Sequence, residues 1–370
     1  MDNNIVVKIN KIKNLYEKQS YKEALNFVNI YRLKYQELNQ IPFFLNLVGL
    51  LHLALKDWDR SIEFFQKWIA IDSNFYHAYF NLGIAYFDLG LLGQSYQQFL
   101  KVLKIDYQNV KAKEAIIEIL TFDFEVEQNK DIYTKLNKQL IELNKNLDLS
   151  KKISDQYVIS LHENGKNLTT KILNNLEYRR DQIYRRNQID LNCDRHMKIF
   201  NTFNVIPEFC FGCLKIVIYM NNILDLIKLC LIFDRYNFLA NYERKCRIYY
   251  EDNTLRGYVY CSTISECNEL SLNIDEAIRK NITNDFRLEK KRGCTEFSKS
   301  YPNYSGIKNE FSEMMQYPKE WKNKEKIIDQ QIYKDDKVIR KKKIDSSKGF
   351  TLSDFLIINK WLNYTKNHLK

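Results

Sequence analysis

The chain has 370 residues, enough for two or three domains that each bury a core. A hydrophobic content of 45% and an aromatic content of 14% exclude a disordered chain, and only 10 Gly and 4 Pro exclude a turn-rich all-β fold. The formal net charge of +11 is uneven: residues 1–177 carry 22 Lys and Arg against 21 Asp and Glu, the remainder 35 against 25. That C-terminal excess points to an acidic partner, whether nucleic acid, a phosphate-bearing ligand or an acidic protein surface; the alternative is that it serves solubility alone.

The first residues, "MDNNIVVKINKIKN", lack the layout of a secretory signal. The most apolar run, "CLKIVIYMNNILDLIKLCLIFD", is broken by Asn221, Asn222, Asp225 and Lys228, too polar to span a bilayer. A soluble cytoplasmic protein is expected, with its 8 Cys as reduced thiols or metal ligands.

Two segments align at a fixed offset: "PFFLNLVGLLHLALKDWDRSIEFFQKWIAIDSNF" over 42–75 and "YHAYFNLGIAYFDLGLLGQSYQQFLKVLKIDYQN" over 76–109, each of 34 residues. Leu45 aligns with Tyr79, Val48-Gly49 with Leu82-Gly83, Ser61 with Ser95, Phe65 with Phe99 and Trp68 with Val102. The period and the apolar pattern resemble the tetratricopeptide repeat, best in the second copy through Leu82, Gly83, Tyr86 and Phe99. A looser copy covers about 5–41, with Tyr21 and Ala24 in place, and 110–145 reads as a degenerate helix pair acting as a cap. Each pair leaves an apolar face that its neighbour must cover, so the predicted domain over 1–145 is an α-solenoid.

The resemblance implies that the first helix of each repeat lines a partner groove. Its positions fall on Phe43, Asn46, Leu50 and Leu53, then on His77, Phe80, Ile84 and Phe87. The best-known peptide-clamping members use Lys and Asn there to hold a terminal carboxylate. This groove is apolar instead and suits an amphipathic helix. That helix is either a protein partner's or the chain's own C-terminus, "TLSDFLIINKWLNYTK", with a stripe through Leu352, Phe355, Ile358 and Leu362.

Residues 146–205 read as a helical linker whose Arg179-Arg180 and Arg185-Arg186 form either a phosphate-binding stripe or a solvated helix. Over 206–300 the periodicity changes. Strands are expected at 214–220, 244–251, 256–262 and 286–294, and helices at 224–236 and 264–280. The order β-α-β-β-α-β is that of a ferredoxin-like sandwich. Alternation puts Ile216, Ile218 and Met220 against the helices, and Lys215, Tyr219, Lys245, Arg247, Tyr249, Tyr258 and Tyr260 on the opposite face. Rings that stack bases beside cations that track phosphates are what single-stranded RNA requires. "RGYVYCS" and "IYMNN" resemble the third- and first-strand motifs of RNA-recognition motifs, with Val259 where that family has Gly or Ala. The alternative is that 150–195 or the tail covers this face.

On that topology the start of the first strand lies beside the ends of the third and fourth, which gathers Cys210, Cys213, Cys261 and Cys294 at one edge. Four thiolates there would hold Zn²⁺ or an iron–sulfur cluster; otherwise they are buried thiols. A redox CxxC opens a helix, whereas this one leads into a strand. Residues 301–370 are a basic tail, with "IRKKKI" at 339–344, and a terminal helix. With no phosphate loop, HExxH or GxSxG, the expected function is a non-enzymatic adaptor: a solenoid for a protein partner and a basic α+β domain for an acidic one. Single-stranded RNA binding and a metalloprotein with a four-cysteine site are the alternatives.

Overall fold

The computed structural model describes residues 3–124, 131–145, 147–173, 176, 178–185, 193–235, 246–251, 254–307, 315–332 and 349–368. The chain divides into two compact units, one up to about residue 119 and one containing most of the remaining chain.

The first unit is a run of helices: α1 (Asn3–Glu17), α2 (Tyr21–Lys34), α3 (Pro42–Ala54), α4 (Trp58–Ile71), α5 (Tyr76–Leu89), α6 (Leu92–Ile105) and α7 (Val110–Ile119). Pro42 opens α3 at a position whose N–H has no intrahelical partner in any case, and Gly90 closes α5 at φ 82°, the left-handed region that favours glycine. Helices pack in sequence, α3 on α4, α4 on α5, α5 on α6 and α6 on α7. The 34-residue offset is visible in contacts. A Cβ on Gly49 would stand 2.5 Å from the Phe65 ring, and one on Gly83 2.9 Å from the Phe99 ring. Ser61 Oγ donates to the Gly49 carbonyl at 3.0 Å, and Ser95 Oγ to the Gly83 carbonyl at 2.7 Å. Glycine thus allows the two helices of a pair to approach, and serine ties them where they meet.

The second unit contains α8 (Ile132–Leu143), α9 (Asp155–Leu173), β1 (Gln182–Arg185), α10 (Cys193–Phe203), α11 (Glu208–Phe211), β2 (Leu214–Met220), α12 (Ile223–Arg235), β3 (Cys246–Glu251), β4 (Thr254–Cys261), α13 (Ile264–Asn281), β5 (Phe286–Arg292), α14 (Trp321–Ile332) and α15 (Leu352–His368). Its antiparallel sheet has the order β1-β3-β4-β2-β5. Ile216, Ile218 and Met220 are buried, and α12 and α13 pack on the sheet. Leu229 of α12 would meet a Cβ on Gly257 at 2.5 Å, which fixes how closely that helix lies on β4.

Several expectations need correction. The stretch expected to be a helical linker contains β1, an edge strand paired to β3 with Ile183 opposite Ile248 and Arg185 opposite Cys246. Arg185 is no part of a phosphate stripe. It is buried, with Nε 2.5 Å from Asp234 Oδ1 and Nη2 2.9 Å from Asp354 Oδ2. The basic tail contains α14, held to α10 by Arg195, which reaches Asp329 at 2.5 Å and Glu325 at 3.0 Å. "IRKKKI" and Arg186 lie outside the described residues. The cap helix pair is split: α7 packs on α6, whereas α8 packs on α9 and α15.

The terminal helix is also placed otherwise than expected. Helix α15 packs on α8, α9, α12 and β1, and Leu352, Phe355, Ile358 and Leu362 are all buried. Its stripe belongs to the core of the second unit and is not available to fill the solenoid groove. Asp354 explains the choice, since it must meet Arg185, and Tyr178 shares a hydrogen bond with Ser353 at 2.8 Å.

Candidate functional site

Groove residues recur on the first helices α3 and α5. Phe43 is 50% exposed, and Leu50, Leu53, Phe80, Ile84 and Phe87 are half-buried. Asn81 Nδ2 donates to Asn46 Oδ1 at 2.7 Å, which locks α5 to α3 across the row. Phe80 sets its edge on Phe99 at 5.4 Å. His77 is exposed in a stack with Tyr76 at 4.0 Å and Phe75 at 5.0 Å. Partial burial and then Lys111 pull its pKa below the usual imidazole value. At neutral pH His77 therefore presents a neutral ring, and the row reads as apolar with an amide pair at its centre.

The other face of the sheet carries Lys215 and Tyr219 on β2, Arg247 and Tyr249 on β3, and Tyr258 and Tyr260 on β4; Lys245 lies outside the described residues. Register adds residues that alternation along the first three strands did not single out. Arg256 lies opposite Tyr219 and Tyr249, Arg287 opposite Tyr219, Lys291 opposite Lys215 and Tyr184 opposite Arg247. The signal was available, since a fourth strand beside the first must alternate in the same way. Tyr219 is the hub: Arg287 lies 4.1 Å, Arg256 5.4 Å and Lys291 5.9 Å from its ring centroid. Its hydroxyl donates to Glu289 at 2.8 Å.

Not all the tyrosines are available. Tyr258 and Tyr260 are only 7% and 9% exposed, with Arg247 stacked 4.6 Å over Tyr258, whereas Tyr219 and Tyr249 are half-buried. Burial pushes the Tyr260 hydroxyl up to about 12. Cys213, Val217, Tyr258 and Tyr260 form an apolar cluster, with Tyr219 and Tyr249 packed against it. Among the described residues, none of its members comes from α9 or α15.

The four cysteines expected at one edge do not form a single site. Cys210 is buried in α11, Cys294 is half-buried past the end of β5, and the Cys261 thiol lies 3.9 Å from the Val259 carbonyl. Cys213 joins the tyrosine-face cluster, whereas Cys261 lies one residue beyond Tyr260 and so points to the helix side. Among the described residues, no group of three or more His, Cys, Asp and Glu side chains is placed to hold a metal ion. Cys230 and Cys246 are fully buried.

The stacked helix pairs of the first unit, with their repeated Gly-Phe-Ser contacts, define a helical-repeat solenoid. The repeat is the tetratricopeptide repeat, whose family model matches residues 76–109. Among solved structures, one described as the first TPR of Spaghetti (RPAP3) bound to the HSP90 peptide SRMEEVD is similar at 18% identity. That likeness has a TM-score of 0.29 and covers 31% of this chain and 88% of that chain. No curated protein matches the chain. Among the described residues, no helix is long and apolar enough to cross a membrane.

Proposed function

We propose that the protein is a non-enzymatic adaptor whose solenoid takes an amphipathic helix of a protein partner. The observation that carries this reading is the row Phe43, Leu50, Leu53, Phe80, Ile84 and Phe87, apolar, only partly buried and spaced by the repeat. Anchors at i, i+3, i+4 and i+7 of a partner helix match such a row, and none of its own side chains is a Lys or Arg that could hold a terminal carboxylate. The test is affinity capture from the source cells with the intact protein and with Leu50→Glu/Phe80→Glu. A partner captured by the first and lost by the second, with an unchanged circular dichroism spectrum, is the expected result. Equal capture by both would remove the groove from the reading.

The second unit we read as a ferredoxin-like sandwich extended at one edge by β1. The chain order β2-α12-β3-β4-α13-β5 and the sheet order β3-β4-β2-β5 support this. Its tyrosine face binds single-stranded RNA, and the ring of Arg256, Arg287 and Lys291 around Tyr219 favours that partner over a plain acidic patch. Stacking falls to Tyr219 and Tyr249, because Tyr258 and Tyr260 are buried. A labelled oligouridine should bind with an affinity that falls steeply as salt rises, and Tyr219→Ala should weaken it. Binding unaffected by that substitution would count against this face.

A further inference from the structure

Helix α9, the segment leading into β1 and helix α15 line a cavity of about 630 Å³, within the roughly 300–1,000 Å³ of small-molecule sites. It lies inside the second unit and shares no residue with the solenoid groove or the tyrosine face. Its floor is apolar: Phe355, Leu356 and Tyr178 are buried, and Leu176 is half-buried. Gly165 makes room for that floor, because a Cβ there would collide with the Phe355 ring. The Tyr178 ring is held in place through its hydroxyl, which shares a hydrogen bond with Ser353 at 2.8 Å.

The rest of the lining is polar, and its charge has one sign. His162 Nε2 donates to Asn359 Oδ1 at 3.0 Å, which leaves the Asn359 amide N–H₂ as a donor on the cavity wall. Asn363 follows Asn359 by one helical turn and lines the cavity from the same face of α15. Lys166, Arg179 and Lys360 are exposed and form the rim. Lys360 is ion-paired with Asp181, whereas Lys166 has no ion-pair partner among the described residues. Three cations thus line the cavity, and among the described residues no carboxylate does. Arg179 is one of the doubled arginines of the sequence, and here it has a cavity beside it.

We propose that this cavity binds a nucleoside monophosphate, with the base on the apolar floor and the phosphate at the basic rim. A flat ring laid against Phe355, Leu356 and Tyr178 removes apolar surface from water on both sides of the contact. The amides of Asn359 and Asn363 offer donors and an acceptor to the edge of a heterocyclic base. Lys166 meets the phosphate as a point charge, and the planar guanidinium of Arg179 meets two of its oxygens at once. Each simpler ligand leaves part of the lining unused. A purely apolar molecule would forgo the amides and cations, and a bare anion would leave the aromatic floor in water. This site is independent of the tyrosine face, so either can exist without the other.

The test is calorimetric titration of the full chain with the common ribonucleoside monophosphates, their nucleosides and inorganic phosphate. At least one nucleotide should bind, and its nucleoside and phosphate alone should each bind about tenfold more weakly or worse. Lys166→Glu/Arg179→Glu should abolish that binding, whereas Tyr219→Ala on the opposite face of the sheet should leave it unchanged. No binding by any nucleotide, or phosphate binding as tightly as the nucleotide, overturns the proposal. So does binding that survives the double charge reversal or is lost with Tyr219→Ala. If the double variant fails to fold, lysine acylation of the unsubstituted protein, mapped by mass spectrometry, decides the matter. The nucleotide should shield Lys166, and equal labelling of Lys166 with and without it overturns the assignment.

Discussion

The two units bury their cores by different rules. In the solenoid one solution is used twice: Gly49, Ser61 and Phe65 recur as Gly83, Ser95 and Phe99, with the same ring against the same glycine and the same hydroxyl on the same carbonyl. Among the described residues of the second unit no such contact set recurs, and its distant segments are fastened by a buried charge cluster in which Arg185 of β1 meets Asp234 of α12 and Asp354 of α15. A repeat distributes stability over many small, equivalent contacts between neighbours. The second unit concentrates it in contacts that cross long stretches of chain, so single substitutions should reach further there.

The largest effect should follow from Arg185→Met. It leaves Asp234 and Asp354 buried without their cation, which costs about 3–5 kcal/mol when one partner of a buried pair is removed. Denaturant unfolding followed by segment-resolved hydrogen exchange should show β1, α12 and α15 losing protection while α3 to α6 keep theirs. Equal loss in the solenoid would break the distinction between the units.

Acid should separate them next. Burial is the main cause that raises Asp234 from 3.8 to about 6, with Asp354 adding to the rise and Arg185 opposing it. A carboxyl whose folded pKa lies above its unfolded value adds stability that is full below the unfolded pKa and lost as pH rises through the folded one. The second unit should therefore lose stability as pH rises from about 4 to about 6, and Asp234→Asn should remove that slope. Melting temperatures across this range, with and without the substitution, measure it; an unchanged slope would mean that another group titrates.

These contrasts also explain what could be read from the sequence. The repeat was legible because it prints the same residues twice, and the strands β2 to β5 because their alternation is regular. Strand β1 was missed because Arg185 and its neighbours look like a solvated helix; a charge is buried only when two carboxylates from elsewhere in the chain arrive to meet it. The stripe of α15 was visible, but a stripe says that a face is covered and not by what. For the cysteines, topology brought the strand ends together, yet the pleat sent Cys213 and Cys261 to opposite faces. Arg256 went unread although it shares parity with Tyr258 and Tyr260 on one strand, whereas Arg287 and Lys291 depend on the register of the last strand beside the first.

Filling the close approaches should distinguish a rigid neighbour from a yielding one. In Gly49→Ala the new methyl meets the Phe65 ring at 2.5 Å, and overpacking of this kind costs about 1–3 kcal/mol. In Gly257→Ala the obstacle, also at 2.5 Å, is the end of the Leu229 side chain, which can rotate away. Denaturant midpoints should show the smaller loss for Gly257→Ala. The reverse ranking would mean that the helix pair yields more easily than the sheet.

The smallest effect is the sharpest test of equivalence within the solenoid. Ser61→Ala and Ser95→Ala each remove one buried donor, and each leaves a glycine carbonyl that already serves its own helix. A hydrogen bond of this kind contributes about 1 kcal/mol, so both variants should lose roughly that amount. If the two copies are the same structural device, the double variant should lose the sum, because the sites share no side-chain partner. Serine is held there by size as well as by its hydroxyl, since both residues are fully buried between paired helices. Ser61→Thr and Ser95→Thr keep the donor and add a methyl group, so they separate the two requirements. If threonine restores neither copy, space decides the residue and the hydrogen bond is secondary to it. Unequal losses for the two alanine variants, measured by denaturant midpoint at constant slope, would show that the repeats are alike in sequence but not in energy.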